Sequence, residues 1–276
     1  MRRLILCVLT LLCTAIAHAA QRADTAYIAE LLFNAHERAQ PFPDIVRINP
    51  ALDDPQLYAI QHRFVALRLA AGDSIGGYKG GFIPRAPLGG VLLASGRLTG
   101  APVIERDGFQ SLLVEAEIGF RLCTRRTLPF ADVETLRAAT CAVFPAIELP
   151  DAAFANLASL REDFTRLRRL LVATNVAASH VLTGPERAPA GLDLDRLDVR
   201  VVHDGNEIGV RPGATSDDDI WQRLLWTINE FVIANGYTVE PSHVIIPGAL
   251  TGLHPGKPGH YAVDYGALGE VEFTLR

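Results

Sequence analysis

The chain has 276 residues, 49% of them hydrophobic and 21% charged, with a formal net charge of −5. This composition excludes a disordered tail, a collagen-like repeat and a coiled coil, and the length suffices for a full core. With 26 basic against 31 acidic residues, no basic block and 7% aromatics, the chain offers nucleic acid neither an electrostatic nor a stacking surface.

The first twenty residues differ from the rest. Arg2 and Arg3 precede an apolar run over residues 4–17, and Ala17-His18-Ala19 supplies small residues at cleavage spacing. This pattern is that of a secretory signal peptide over residues 1–19, too short to span a bilayer comfortably. The remainder, 20–276, has no Ser/Gly/Pro linker and reads as one domain, periplasmic or secreted, with no membrane contact after cleavage. Of four cysteines, Cys123 and Cys141 would then remain. An oxidising compartment permits a bridge between them, and the spacing alone equally allows two separate thiols.

Ile28, Leu31, Leu32 and Ala35 recur at helical spacing after Asp24 and Thr25, which can cap. Asp54-Pro55 opens a second helix carrying Leu57, Ile60, Phe64 and Leu67, stopped by Gly72. A glycine-rich segment over residues 76–81 follows, then extended stretches over 91–98 and 111–123. Residues 132–143 read as a helix, followed by a short strand ending near Glu148. Asp204-Gly205, flanked by β-branched residues, predicts a hairpin. Ser216 and Asp219 resemble a capping box for a helix with Trp221, Leu224, Leu225, Ile228 and Phe231, ending at Asn235-Gly236. Strands over 244–246 and 271–275 close the chain. Helices first and strands mixed later predict an α+β fold.

Three segments carry the chemistry. In Leu113-Val114-Glu115-Ala116-Glu117-Ile118-Gly119-Phe120, strand alternation puts Glu115, Glu117 and Gly119 on one face and the apolar residues on the other. Two carboxylates about 7 Å apart can converge on a hard cation. Glu148 is one acid inside the apolar run 144–149, costly to bury unless paired or bound to a metal. Three carboxylates without nearby histidines suit Mg²⁺, Mn²⁺ or Ca²⁺ better than zinc. Lys79, one of only two lysines, sits among Gly76, Gly77, Gly80 and Gly81, where a compact ammonium is exposed to close backbone approach by a ligand.

The order of these motifs is informative. Gly77-Tyr78-Lys79, then Glu115 to Phe120, then Pro145-Ala146-Ile147-Glu148 with Asp151, resembles the 2-keto-4-pentenoate hydratase branch of the fumarylacetoacetate hydrolase superfamily. The similarity continues through Asn175-Val176-Ala177-Ala178-Ser179, Gly205-Asn206-Glu207-Ile208, Leu225-Trp226-Thr227-Ile228-Asn229 and Val244 onward to Val271. The resemblance implies a mixed β-roll with N-terminal and surrounding helices, a homo-oligomer, and Mg²⁺ or Mn²⁺ on Glu115, Glu117 and Glu148. It further implies that Lys79 is the active-site lysine and Ser179 a polar residue of the pocket. The substrate it implies is a small 2-oxo or 2-hydroxydienoic acid, hydrated or decarboxylated through a metal-stabilised enolate. The chain departs from the pattern in a short link from Lys79 to Pro87, in Ala152-Ala153 where Ser-Arg is usual, and in Pro247 where Thr is common. These departures leave room for a non-catalytic small-acid-binding protein or a C–C bond hydrolase of the same superfamily.

Overall fold

The computed structural model describes residues 24–82, 87–213 and 219–276. The signal-peptide reading over 1–19 and Ser216 of the expected capping box lie outside the described residues. Helix α1 (residues 24–37) turns Ile28, Leu32 and Ala35 inward. After the single turn α2 (Ile45–Ile48), α3 (Asp54–Ala70) starts on a capping box between Asp53 and Gln56 and buries Leu57, Ile60 and Phe64. Then come α4 (Val133–Ala139), α5 (Leu157–Leu160), α6 (Phe164–Ala173) and α7 (Ile220–Trp226). Asp219 caps α7 through Gln222, and the helix runs on as a wider π-turn over Thr227–Ile233.

The strands come mostly in runs between these helices: β1 (Ile75–Gly81), β2 (Leu88–Leu93), β3 (Arg97–Thr99), β4 (Val103–Ile104), β5 (Leu113–Leu122), β6 (Thr140–Leu149) and β7 (His180–Thr183). The later ones are β8 (Val199–His203), β9 (Asn206–Arg211), β10 (Val244–Ile246), β11 (His254–Pro255), β12 (Gly259–Asp264) and β13 (Glu270–Leu275). One mixed sheet runs β2-β1-β10-β5-β6-β7-β3, with β11 also on β5, and a second runs β4-β13-β12-β8-β9. The apolar face of β5 (Val114, Ala116, Ile118, Phe120) shares a core with Tyr261, Val263 and Phe273 of the second sheet. A separate apolar cluster joins α1, α3 and α6. Curled mixed sheets flanked by helices are the α+β architecture expected.

Several boundaries differ from the sequence reading. The helix expected over 132–143 ends at Ala139, because Thr140 to Val143 already pair with β5, Leu122 opposite Thr140. Three of those four residues are Thr, Cys and Val, which fit a pleated surface better than a helix. Cys123 and Cys141 form a disulfide at this end of the β5–β6 pair. The stretch over 91–98 is broken by a tight turn at Ala94–Gly96, where Gly96 packs against the Ser179 backbone. The 204–205 hairpin is as expected, with both turn residues at positive φ, 47° and 78°. Strand β12 is not evident in the sequence because its outward residues interrupt any apolar run.

Candidate active site

The acid face of β5 is where the sheet register concentrates charge. Glu115 and Glu117 point to one side of β5, and Glu148 of β6 stands directly opposite Glu115. One oxygen from each of the three lies within 4.8 Å of the other two. Lys79 arrives from β1, which reaches β5 only through β10: Lys79 pairs with Ile246, and Ile245 with Phe120. Its ammonium donates to Glu148 and, at 3.1 Å, to the carbonyl of Val176. All four side chains are buried, Glu117 and Glu148 completely. Lys257, the other lysine, is exposed.

Burying three carboxylates beside one lysine leaves an excess of negative charge. Burial, then Glu148, pushes the Glu115 carboxyl up to about 8, and Lys79 only partly offsets this. Burial, Glu148 and Glu115 likewise hold Glu117 well above the carboxylate range, against the pull of Lys79 and the Gly248 amide. Burial also raises Glu148, opposed by Lys79. For Lys79, burial pushes down, but the attraction of Glu148, Glu115 and Glu117 carries the ammonium above its ordinary value.

The cluster fits a hard divalent cation. Glu117 Oε1 and Glu148 Oε2 are buried without any hydrogen-bond partner, a state that is costly for a carboxylate unless a cation completes it. An all-oxygen donor set of this kind suits a hard metal ion.

Surrounding residues orient the cluster. The Gly248 amide donates to Glu117 Oε2 at 2.7 Å. The Tyr265 hydroxyl accepts from the Glu117 amide at 3.2 Å and donates to the Ala146 carbonyl, tying β5 to β6. Asn175, Val176 and Ala177 are three successive non-glycine residues in the left-handed region, at φ 58°, 54° and 55°. That backbone is unfavourable, above all for a β-branched Val. Asn175 anchors it by donating to the Val91 carbonyl and accepting from its amide, both at 2.7 Å. The strap thereby presents the Val176 carbonyl to Lys79. The sequence gives no direct sign of these roles for Gly248 or Tyr265; for the strap its one signal is Asn175, a residue type that accepts the left-handed region.

Lys79 and Glu115 lie on the floor of a hollow of about 630 Å³ whose walls are otherwise mostly apolar. Ser179 is not brought there. It lines a second hollow with Asp151, His36 and His180, and its Oγ lies 2.8 Å from His180 Nδ1. The glycines near Lys79 also differ in role. A Cβ on Gly77 would strike the Val244 carbonyl and one on Gly80 the Thr227 hydroxyl, so these positions serve close packing, while Gly80 and Gly81 border the hollow. Gly119, on the same strand face as the two acids, leaves no room for a ligand, because the Phe144 ring lies against it.

No protein-family model matches the chain. A crystal structure of 4-oxalocrotonate decarboxylase from Pseudomonas putida G7, complexed with magnesium and adipate, superposes with a TM-score of 0.81. It is 20% identical and covers 92% of this chain and 98% of its own. The fold is that of the fumarylacetoacetate hydrolase superfamily. A protein described as a fumarylacetoacetate isomerase/hydrolase, from Oleispira antarctica, superposes at TM-score 0.54 and 16% identity over 72% of this chain and 92% of its own. In sequence, the chain is 26% identical to the 2-oxo-hept-4-ene-1,7-dioate hydratase of Escherichia coli, over 88% of this chain and 95% of that protein. The acid pair on β5, the facing Glu148 and the lysine on β1 thus sit on a fold shared with fumarylacetoacetate hydrolase-like proteins.

Proposed function

We propose that the chain is a divalent-metal-dependent lyase, a hydratase or decarboxylase, acting on a small 2-oxo or 2-hydroxydienoic acid. One observation carries this reading: three buried carboxylates, two with a bare oxygen, converge beside a buried lysine under an apolar hollow. The activities of the similar proteins, a hydratase and a decarboxylase, support the same class. Glu115, Glu117 and Glu148 are the proposed ligands, with Mg²⁺ or Mn²⁺ as the cation. When bound, the cation supplies Lewis-acid stabilisation of negative charge developing on the substrate's 2-oxygen.

The chain's own residues do the rest. An ammonium has three N–H groups; Glu148 and Val176 accept two from Lys79, and the third is free for the 2-oxygen of an acid lying in the hollow. The ammonium fixed there would favour the enolate. In hydration, a water adds its hydroxyl and a proton across the far double bond. In decarboxylation, the C–C bond to the carboxylate breaks, CO₂ leaves and the enolate formed by its electron pair takes up a proton. The Val176 carbonyl and Glu148 hold the ammonium in place, so the strap and β6 share the task of positioning it. No step is placed on Ser179. We further propose that residues 20–276 form one exported catalytic domain; the apolar N-terminal run and a bridge suited to an oxidising compartment support export.

The test is absorbance-monitored turnover of 2-hydroxydienoic acids by the metal-loaded protein, with CO₂ release separating decarboxylation from hydration. Stripping the metal should abolish turnover, and Lys79→Arg should lower it by about 10²–10⁴. Arginine is bulkier and does not release a proton near neutral pH. Binding of 2-oxo acids with no turnover would replace the lyase by a binding protein, and a wild-type rate in Lys79→Arg would remove Lys79 from the mechanism.

A further inference from the structure

We infer that the hollow above Lys79 selects a 2-oxo acid with an extended apolar tail rather than one ending in a second carboxylate. The inference rests on the proposed function and adds the identity of the tail. Away from Lys79 and Glu115, the wall is one face of α6: Phe164, Leu167 and Leu171, at spacings of three and four, all line the hollow. On the other side of the same helix, Leu170 and Ala173 are buried in the helical core. Leu167 and Leu171 also pack against that core but stay only half-buried, so their outer surfaces, with the exposed Phe164, are left to the hollow. Phe82, Leu113 and Leu253 extend the apolar wall.

Phe164 is 46% exposed and Leu253 is 61% exposed, although both are large and both border the hollow. Adjoining apolar side chains of this size, continuous with a cavity, mark a ligand surface. The volume agrees. About 630 Å³ corresponds to roughly twenty water volumes at about 30 Å³ each, far more than the about eight heavy atoms of a five-carbon oxo acid require.

The two arginines of the hollow do not change the outcome. The Arg223 guanidinium sits over the Phe82 ring at 5.4 Å and reaches the Ala249 carbonyl at 3.4 Å. Arg161 is exposed at the rim, where water and salt screen its attraction for a distal carboxylate to about fivefold in affinity at most. Each methylene buried against the α6 wall adds about fourfold. Over three or four carbons, burial dominates.

The experiment uses the Mg²⁺-loaded protein and saturated 2-oxo acids, which bind without hydration, with affinities read by calorimetry. Affinity should rise at least tenfold from 2-oxopentanoate to 2-oxooctanoate, and 2-oxoheptanoate should bind more tightly than 2-oxoheptanedioate. Leu253→Asp, at an exposed position that leaves the core untouched, should weaken 2-oxooctanoate about tenfold and leave 2-oxopentanoate unchanged. Tighter binding of the dioate, lost selectively in Arg161→Ala, would overturn the apolar tail while leaving the 2-oxo acid site intact. Failure of every 2-oxo acid, whatever its length, to bind the metal-loaded protein would overturn the proposed function and this inference with it.

Discussion

Glu115, Glu117 and Glu148 share one small volume, and their mutual repulsion is the dominant fact at the residue scale. Without a cation, burial and the neighbouring acids hold Glu115 near 8 and raise the other two as well. A carboxyl raised above its unfolded value stabilises the fold fully below about pH 4.5, and this contribution is lost as pH rises through about 8. The metal-free protein should therefore lose thermal stability between pH 5.5 and 8.5. A cation binds the deprotonated acids and displaces their protons, so the Tm gain from Mg²⁺ should grow over the same interval. Thermal melts with and without Mg²⁺ at the two pH values check this; a gain that shrinks toward alkaline pH would contradict it. Glu117→Gln keeps the shape but removes a charge and should lower metal affinity at least tenfold in a calorimetric titration, with the far-UV spectrum unchanged. Unaltered affinity would exclude Glu117 as a ligand.

The element on which the site depends most is the strap over 175–177. Its left-handed backbone is tolerable because Asn accepts that conformation more readily than other residues and because the Asn175 amide grips both polar groups of Val91. Asn175→Ala would leave a buried amide and a buried carbonyl of β2 unpaired, at about 1–3 kcal/mol each. Urea denaturation should show a loss of roughly 2–6 kcal/mol on this basis. The Val176 carbonyl would also drift from Lys79, so turnover should fall in this variant even where it remains folded. A variant as stable and active as wild type would show that the strap holds itself. The same element separates the two hollows, since Ala177 borders both.

Across the whole molecule, the β5–β6 pair links site and staple at opposite ends. Glu115 faces Glu148 at one end, and Cys123 and Cys141 are bridged at the other, eight residues along β5 from Glu115. At about 3.3 Å per residue, roughly 25 Å separates them. A bridge across an 18-residue separation limits the unfolded chain and stabilises by about 3 kcal/mol. Replacing both cysteines by serine should lower Tm by roughly 6–12 °C in a domain of this size. Metal affinity should not change, because the acids sit at the far end of the β5–β6 pair, where Lys79, Gly248 and Tyr265 orient them. A parallel loss of affinity in the double variant would show that the bridge sets the register at the site.

What the sequence determined by itself is local. Alternation along residues 113–120 sets two acids on one strand face, and an acid in the apolar run 144–149 requires a partner. The helix start at Asp54-Pro55 and the Asp204-Gly205 turn were legible for the same reason: each depends on neighbours within a few residues. The overrun of the 132–143 helix shows the limit, since Thr140 to Val143 become strand only because β5 is there to pair with them. Tertiary structure alone decided that Glu148 faces Glu115, that Lys79 reaches them across β10, and that Gly248 and Tyr265 hold Glu117. It also placed Ser179 in the other hollow, although its motif neighbours Val176 and Ala177 border the site. Pairing between strands tens to well over a hundred residues apart is chosen by which register buries the most apolar surface, and no short stretch of sequence carries that comparison.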